Sequence, residues 1–304
     1  MLFHRDFTEY TGGQGKVWDY FRHTLALGWQ ARVFLTDRSL RDERNPWMQE
    51  AAKIETEWHP EDADVLFLGG RDWAALPDPL NPPRPVINLV QHVRHAWADY
   101  PLRQYLRAPA HRICVSQPVA DAIAATGEVN GPLWVIPAAL DVPEPVKRGM
   151  PAASGSVVIA GIKAPVLAHA IAAVLRARGV MVEVLGHWLP RADYLQRIAG
   201  AAVAVTLPHP QEGFYLPGLE AMALGVPVVM NDCIGSCEYA RDGENCLLAV
   251  PEAEAMAAAV MRAMEPGVAA PLVARGRETA AAHTQARERE QFAVVLRAIR
   301  EAVQ

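Results

Sequence analysis

Residues 203–230 read VAVTLPHPQEGFYLPGLEAMALGVPVVM, and this stretch decides the fold. It opens with an apolar run, Val203–Leu207, and continues through a polar loop that contains glycine. An amphipathic segment, Leu216–Leu224, comes next, with a proline in its first turn, and a second apolar run, Val226–Met230, follows it. A short apolar run, a segment of helical length and another apolar run form the pattern of a βαβ unit, in which both strands lie parallel in one sheet.

The same alternation extends over the rest of the chain in two series. The other apolar runs that we predict as strands are Arg32–Leu35, Val65–Leu68, Pro85–Val90, Arg112–Val115, Leu133–Ile136, Val157–Ala160, Met181–Leu185 and Asn245–Val250. The other segments predicted as helices are Lys16–Leu27, Trp97–Leu106, Pro118–Ala125, Leu167–Arg178, Glu252–Met264 and Thr284–Val303. The pattern predicts an α/β protein with two doubly wound, Rossmann-like parallel sheets.

A proline-rich segment separates the two series. Residues 142–151 read VPEPVKRGMP, with three prolines and one glycine, which is typical of a domain boundary. We therefore expect an N-terminal domain over residues 1–145, a C-terminal domain over residues 152–283 and a terminal helix over residues 284–304. Two such domains are expected to face each other across a ligand cleft at the carboxyl ends of their strands.

The composition excludes several classes of protein. With 304 residues, 51% apolar and 21% charged, the chain is too apolar for extended disorder. Its 29 basic and 34 acidic side chains give a net charge of -5, so nucleic acid is not an expected partner. The N-terminus lacks the apolar core of a signal peptide, and no apolar run reaches the ~18 residues of a membrane span, so we expect a cytoplasmic protein. Four cysteines provide neither a disulfide framework nor a zinc site.

Two acidic residues follow the third strand of the second series. Glu212 lies in the loop after this strand, and Glu220 lies one turn into the next helix. The N-terminus of that helix, next to Gly213, has free amides that suit an anion such as a diphosphate. The two carboxylates can accept hydrogen bonds from two separate polyol parts of one ligand. The alternative is that they are a solvated loop residue and an exposed helix residue.

The same region carries a longer motif. It consists of EGFYLPGLEAMALGVPVV at residues 212–229, GSCE at residues 235–238 and DGEN at residues 242–245. This motif resembles the donor-binding signature of the group 1 retaining glycosyltransferases of the GT-B fold. The resemblance implies a nucleotide-sugar donor in the second domain, with Glu220 at the ribose hydroxyls and Glu212 beside the transferred sugar. It also implies that the backbone amides of four residues hold sugar hydroxyls and phosphate: Gly213, Phe214, Tyr215 and Leu216.

The first domain carries further landmarks that resemble this family. The loop at residues 10–16 is similar to the family's glycine loop, in which the backbone of Gly12 and Gly13 would approach the diphosphate. The alternative is a flexible turn that caps a helix from Lys16. His92, after the strand that ends at Val90, is similar to the family histidine that contacts the donor sugar. A structural or surface histidine is the alternative there.

The loop after the first strand of the second domain departs from the family pattern. The family has two cations there, in Gly-Arg and Lys-Gly, whereas this chain reads Gly161-Ile162-Lys163, so Lys163 is the one cation. We expect Lys163 and backbone amides to neutralise the departing diphosphate. His92, Lys163 and Glu212 are thus the residues expected to act in transfer, without a metal ion or other cofactor.

The expected activity is retaining, metal-independent transfer of a hexosyl group from a nucleotide-diphosphate sugar. The acceptor is a glycan, a lipid-linked molecule or a small molecule, and retention is implied by the resemblance alone. Two alternatives on the same fold are a non-catalytic nucleotide-sugar-binding protein and a nucleotide-sugar epimerase. In the resembling family the chain ends by crossing back, so we expect the apolar stripe of the terminal helix to dock on the first domain. The alternative partner for this stripe is the second domain.

Overall fold

The computed structural model describes residues 1–142 and 155–303. It forms two compact units, here called unit 1 and unit 2. Unit 1 contains residues 1–138 and the C-terminal segment from residue 285, and unit 2 contains residues 139–284. Apart from Val142, the proline-rich segment that we predict as the domain boundary lies outside the described residues. Each unit is built from a parallel sheet and helices, so the predicted α/β class is confirmed.

Unit 1 is built around a seven-stranded parallel sheet in the order β3-β2-β1-β4-β5-β6-β7. Its strands are β1 (Leu2–Arg5), β2 (Arg32–Leu35), β3 (Ile54–Glu55), β4 (Leu66–Gly69), β5 (Val86–Val90), β6 (His111–Cys114) and β7 (Leu133–Val135). Its α-helices are α1 (Gly12–Ala26), α2 (Gln117–Ala124) and the C-terminal α8 (Gln285–Val303). Every residue of β4 and β5 is buried, as expected for parallel strands that are covered on both faces. Phe3 of β1 pairs with Phe67 of β4, and their rings stack with centroids 4.6 Å apart.

Helix α1 begins at Gly12, four residues earlier than the sequence predicts. Thr11 is its N-cap, and the Thr11 side chain accepts a hydrogen bond from the Gln14 amide at 3.2 Å. Such a cap satisfies one of the free amides of the first turn and so favours helix formation through a glycine-rich segment. Gly12 and Gly13 therefore lie in the first helical turn, and the expectation of a loop that ends at Lys16 is wrong.

Helix α8 belongs to unit 1 and covers helix α1 with its apolar face. Phe292 and Val295 are fully buried, and Leu296 and Ile299 are at most 2% exposed. The Phe292 ring lies edge to face with Tyr20 of α1, with a centroid distance of 4.9 Å. These contacts bury the whole stripe of apolar residues that the helical spacing predicts.

A buried ionic cluster joins the same two helices. Glu288 of α8 is 2% exposed, and Lys16 of α1 is 3% exposed. Lys16 Nζ lies 2.7 Å from Glu288 Oε1 and 2.8 Å from Asp19 Oδ2, and His23 Nε2 lies 2.9 Å from Glu288 Oε2. Burial alone would raise the pKa of Glu288, but the charge of Lys16 and the contact with His23 outweigh it, so the pKa is lowered. Burial would lower the pKa of Lys16, but the two carboxylates outweigh it and raise the pKa.

Unit 2 is built around a five-stranded parallel sheet in the order β12-β11-β10-β8-β9. Its strands are β8 (Val157–Ala160), β9 (Val182–Leu185), β10 (Val203–Thr206), β11 (Val228–Met230) and β12 (Leu247–Leu248). Its helices are α3 (Pro165–Ala177), α4 (Arg191–Ala199), α5 (Leu216–Ala223), α6 (Ala253–Ala263) and α7 (Pro266–Ala281). Because β8 lies between β9 and β10, the strand order reverses at β8, which is the topological switch point of this sheet.

One predicted helix is wrong, and two strands and two α-helices of the described residues are not predicted. In place of a helix over Trp97–Leu106, the chain forms two 3-10 turns, Val93–Ala96 and Arg103–Arg107. Pro101 explains the break, because it has no amide to donate and it disfavours a helical conformation at the residue before it. The elements that escape prediction are β1, β3, α4 and α7.

Candidate functional site

The candidate site lies at the carboxyl ends of β8 and β10, on both sides of the switch point of unit 2. The two strands are direct neighbours, and Ala160 pairs with Thr206 at their last residues. The loops that follow them, residues 161–164 and 207–215, therefore leave the same edge of the sheet. In open α/β sheets, ligands bind outside the carboxyl ends of the strands at such a point.

Lys163 and Glu212 are brought together from these two loops. Lys163 Nζ forms an ion pair and hydrogen bond with Glu212 Oε1, although 49 positions separate the two residues. Lys163 Nζ also lies 5.6 Å from the centre of the Tyr215 ring, within the range of a cation–π contact. The Lys163 side chain is 47% exposed, so its other ammonium protons can reach a ligand. Burial raises the pKa of the Tyr215 phenol, which keeps this ring neutral beside the charged pair.

Helix α5 begins without a side-chain cap for its first backbone amides. Tyr215 is the N-cap and makes no side-chain capping bond, and Pro217 occupies the first turn. Within the described residues, the amides of Gly213, Phe214, Tyr215 and Leu216 donate to no protein acceptor. Unpaired amides at a helix N-terminus favour negative charge and oxygen acceptors. The segment can therefore hold phosphate or hydroxyl oxygens, as the resemblance implies.

Glu220 is buried and pairs with an arginine that the sequence prediction missed. The residue is 3% exposed, so the alternative of an exposed helix residue is wrong. Arg191 Nη1 donates to Glu220 Oε1 at 2.7 Å, and Arg191 Nη2 donates to the Asp141 carbonyl at 2.7 Å. One signal could have indicated Arg191. It follows β9 after Gly186 and Pro190, which places it at the same end of the sheet as the two acids.

The Gly-x-x-Glu segment that follows β11 fastens the loop of Glu212. The Gly235 amide donates to the Glu212 carbonyl at 2.7 Å, and the Tyr239 hydroxyl donates to the Tyr215 carbonyl at 2.5 Å. A Cβ at Gly235 would lie 2.5 Å from backbone atoms of Gly213 and Phe214. Only glycine fits such a close approach of two backbones. Gly235 thus fixes the position of the loop that carries the free amides.

The residues predicted in unit 1 lie together at a different sheet edge. Gly12 and Gly13 form the first turn of α1, and Gln91 Nε2, just after β5, donates to the Gly13 carbonyl at 3.1 Å. His92 is the N-cap of the 3-10 turn that follows, and its Nδ1 accepts from the Arg94 amide at 3.1 Å. This contact fixes which ring nitrogen accepts and leaves the other nitrogen as a donor. The roles of Gly12, Gly13 and His92 toward a donor stay predictions.

The described residues provide no obvious metal site. Residues 1–142 and 155–303 contain no group of three His, Cys, Asp or Glu side chains arranged to bind a metal ion. One Asp-x-Asp triplet, residues 62–64, precedes β4 and so lies at the amino end of that strand, away from the carboxyl edge. Over the same part of the chain, none of the helices combines the length and the apolar character that crossing a membrane requires.

A family model matches the part of the chain that carries this site. Residues 126–266 match the family described as glycosyl transferases group 1. The match supports a group 1 glycosyltransferase. It covers a little under half of the chain and includes Lys163, Arg191, Glu212 and Glu220. No curated protein matches the chain.

Solved glycosyltransferase structures share the fold over almost the whole chain. HepE from Anabaena, in complex with UDP, has a TM-score of 0.75 at 16% identity, with 98% of this chain and 99% of that chain covered. Sucrose-phosphate synthase from Thermosynechococcus elongatus has a TM-score of 0.68 at 18% identity, with 99% of both chains covered. The alpha,alpha-trehalose 6-phosphate synthase from Burkholderia multivorans has a TM-score of 0.69 at 12% identity, with 99% of this chain and 97% of that chain covered. The fold is therefore that of GT-B glycosyltransferases.

Proposed function

We propose that the chain is a retaining glycosyltransferase that moves a hexosyl group from a nucleotide-diphosphate sugar to an acceptor. One observation carries the proposal: Lys163 and Glu212 form an ion pair at the switch point of unit 2, beside the amides of residues 213–216, and Glu220 lies on the helix that begins there. This combination offers a cation and amides for a diphosphate and two carboxylates for hydroxyls. The family match over residues 126–266 supports the same class of reaction.

The nucleotide is held, in this proposal, by groups that complement each of its parts. Glu220 accepts hydrogen bonds from the ribose hydroxyls, and Lys163 with the amides of residues 213–216 binds the diphosphate. These donors are fixed before the reaction, since α5 and Gly235 hold the loop in place. Preorganised donors stabilise the charge that builds on the departing phosphate without a reorganisation cost. A metal ion is therefore not required.

The transfer step breaks the bond between the anomeric carbon and the diphosphate oxygen. The acceptor hydroxyl oxygen attacks the anomeric carbon on the face that the diphosphate leaves, and its proton passes to the departing phosphate. Positive charge develops on the sugar ring in the transition state, as in other glycosyl transfers. Glu212 hydrogen-bonds the sugar hydroxyls in this proposal and does not act as a nucleophile. His92 of unit 1 is the further residue proposed to contact the donor sugar.

Calorimetry with UDP, GDP, ADP and their sugars tests the donor site. UDP and UDP-glucose come first, because the similar HepE has been solved with both. Glu220→Ala should weaken nucleotide and nucleotide-sugar binding alike by tenfold or more, since a hydrogen bond to a charged group is worth roughly 1.5 to 3 kcal/mol. Glu212→Ala should spare free nucleotide and impair transfer, and Glu254→Ala, in an exposed ion pair of α6, is the control. Failure of every nucleotide diphosphate to bind at millimolar concentration would overturn the proposal.

The reaction products separate the two alternatives from transfer. Consumption of the donor only when an acceptor is present indicates a transferase, whereas isomerisation of the donor without an acceptor indicates an epimerase. Binding without either reaction, over a panel of glycan, lipid-linked and small-molecule acceptors, indicates a non-catalytic nucleotide-sugar-binding protein. The single cation of the loop after β8 is the feature that favours this last alternative over a transferase.

A further inference from the structure

Arg191 is the least expected component of the candidate site. It is the first residue of α4, its side chain is 29% exposed, and its guanidinium contacts two other segments of unit 2. Nη1 binds the Glu220 carboxylate on α5, and Nη2 binds the backbone carbonyl of Asp141. The planar guanidinium fixes both contacts at once, so Arg191 has little freedom to rotate.

The pairing leaves one Glu220 oxygen for another donor. Arg191 engages Oε1, whereas Oε2 accepts no hydrogen bond from any residue that the structure describes. Oε2 is also not among the polar atoms that are sealed from solvent without a partner. A carboxylate has about four acceptor positions, so Glu220 can keep its contact with Arg191 and still accept from a ligand.

Stability alone does not explain this ion pair. Removing a carboxylate from water costs several kcal/mol, and well-packed apolar residues are often as stabilising as a buried ion pair. Apolar side chains already surround the contact between α4 and α5, with Leu195, Ile198 and Leu219 fully buried in one cluster. An arginine is therefore not needed to join the two helices. What an apolar residue could not do is fix the orientation of the Glu220 carboxylate.

We propose that Arg191 is a positioning residue for the nucleotide ribose. It holds Oε1 of Glu220 so that Oε2 faces the ribose hydroxyls. This inference rests on the proposed function, because it takes Glu220 as the ribose acceptor. It goes further because it assigns the orientation of that acceptor to a residue on a different helix.

The test compares two ligands that differ only at the ribose. Binding of UDP and of 2′,3′-dideoxy-UDP is measured by calorimetry for the wild type, Arg191→Gln and Arg191→Lys. The control is Arg197→Gln, the same change on the same helix, in an exposed pair with Glu183. If UDP does not bind, GDP or ADP and the matching dideoxynucleotide replace it.

We expect Arg191→Gln to weaken UDP binding by about tenfold or more and dideoxy-UDP binding by less than about twofold, because only the first ligand uses Glu220. Arg191→Lys keeps the charge but cannot span both acceptors, so it should weaken UDP binding by an intermediate factor and still show the difference between the ligands. This variant keeps the test valid if Arg191→Gln does not fold. Arg197→Gln should bind both ligands as the wild type does.

Each contrary result overturns a different statement. Equal losses for both ligands would mean that Arg191 only maintains the structure, and tighter UDP binding would mean that it blocks Glu220. Either result overturns the inference and leaves the proposed function standing. Wild-type protein that binds UDP and its dideoxy analogue equally well would overturn the ribose role of Glu220, and with it the inference. Wild-type protein that binds no nucleotide diphosphate would overturn the proposed function as well.

Discussion

Glu288→Gln tests whether the buried ionic cluster fixes helix α8 on unit 1. The change keeps the shape of the side chain and removes the charge that Lys16 and His23 contact at 2.7 to 2.9 Å. Removal of one partner from a buried pair costs about 3 to 5 kcal/mol. Because Lys16 keeps Asp19 as a second partner, we expect the lower end, about 3 kcal/mol, which is roughly a 150-fold change in the unfolding equilibrium constant.

Tryptophan fluorescence during urea unfolding measures this loss in unit 1. Of the eight tryptophans, only Trp188 lies in unit 2, so the signal reports mainly on unit 1. Glu278→Gln is the matched control, because its pair with Arg275 on α7 is 65–68% exposed and such pairs contribute at most ~1 kcal/mol. A loss below about 1 kcal/mol for Glu288→Gln, or one no larger than in the control, would refute the reasoning. The double change Lys16→Met and Glu288→Leu should recover only part of the loss, because Asp19 keeps Arg22 as a partner whereas buried His23 loses its contact with Glu288.

The same cluster predicts a pH dependence with a defined sign. The pKa of Glu288 is lowered on folding, so its contribution to stability is fully present above its unfolded value, 4.5, and is lost as the pH falls through the lowered value. Glu288→Gln lacks this contribution. The difference in unfolding free energy between wild type and variant should therefore shrink as the pH falls below 4.5. A difference that stays unchanged down to pH 2 would contradict the assignment.

Three further predictions follow from other contacts. Phe292→Ala should lower the free energy of unfolding by about 3 to 5 kcal/mol in the same assay, because the ring is fully buried against Tyr20. A loss under about 1 kcal/mol would show that α8 is held in another way. Gly235→Ala should lower the rate of transfer on the order of a hundredfold, because a Cβ would displace the backbone of Gly213. Transfer at the wild-type rate would contradict this prediction. Transfer should survive EDTA, since Lys163 and backbone amides neutralise the phosphate in the proposed mechanism. Activity abolished by EDTA and restored by magnesium or manganese would show that mechanism to be wrong.

Much of the fold follows from the sequence because most of its strands are continuous apolar runs. The strand prediction for Arg32–Leu35 and the one for Val157–Ala160 match the structure at both ends. Strand β1 escapes because two of its four residues are His4 and Arg5, which read as surface residues although both are buried. Helix α7 escapes because its sequence contains two prolines and a glycine in its first six residues, which are breaking signals without tertiary context.

The candidate site is predictable residue by residue but not as a set of contacts. The motif at residues 212–229 indicates both acids, because their spacing along one loop and helix is local information. The partner of each acid lies elsewhere in the chain: Lys163 is 49 positions from Glu212, and Arg191 is 29 positions from Glu220. Those pairings depend on which strands are neighbours and on how α4 packs against α5, and neither is encoded in a local pattern.

The way the chain returns to unit 1 has a consequence for its synthesis. Unit 2 is continuous in sequence, whereas unit 1 needs both the first 138 residues and helix α8. On the ribosome, unit 2 can therefore complete its contacts before α8 has been made. About 150 residues separate the end of the first segment from Glu288. At ~5–20 residues per second, their synthesis takes roughly 7 to 30 s. During that time helix α8 does not yet cover the face of α1 that carries Tyr20 and Lys16. Unit 1 is therefore translated first but completed last.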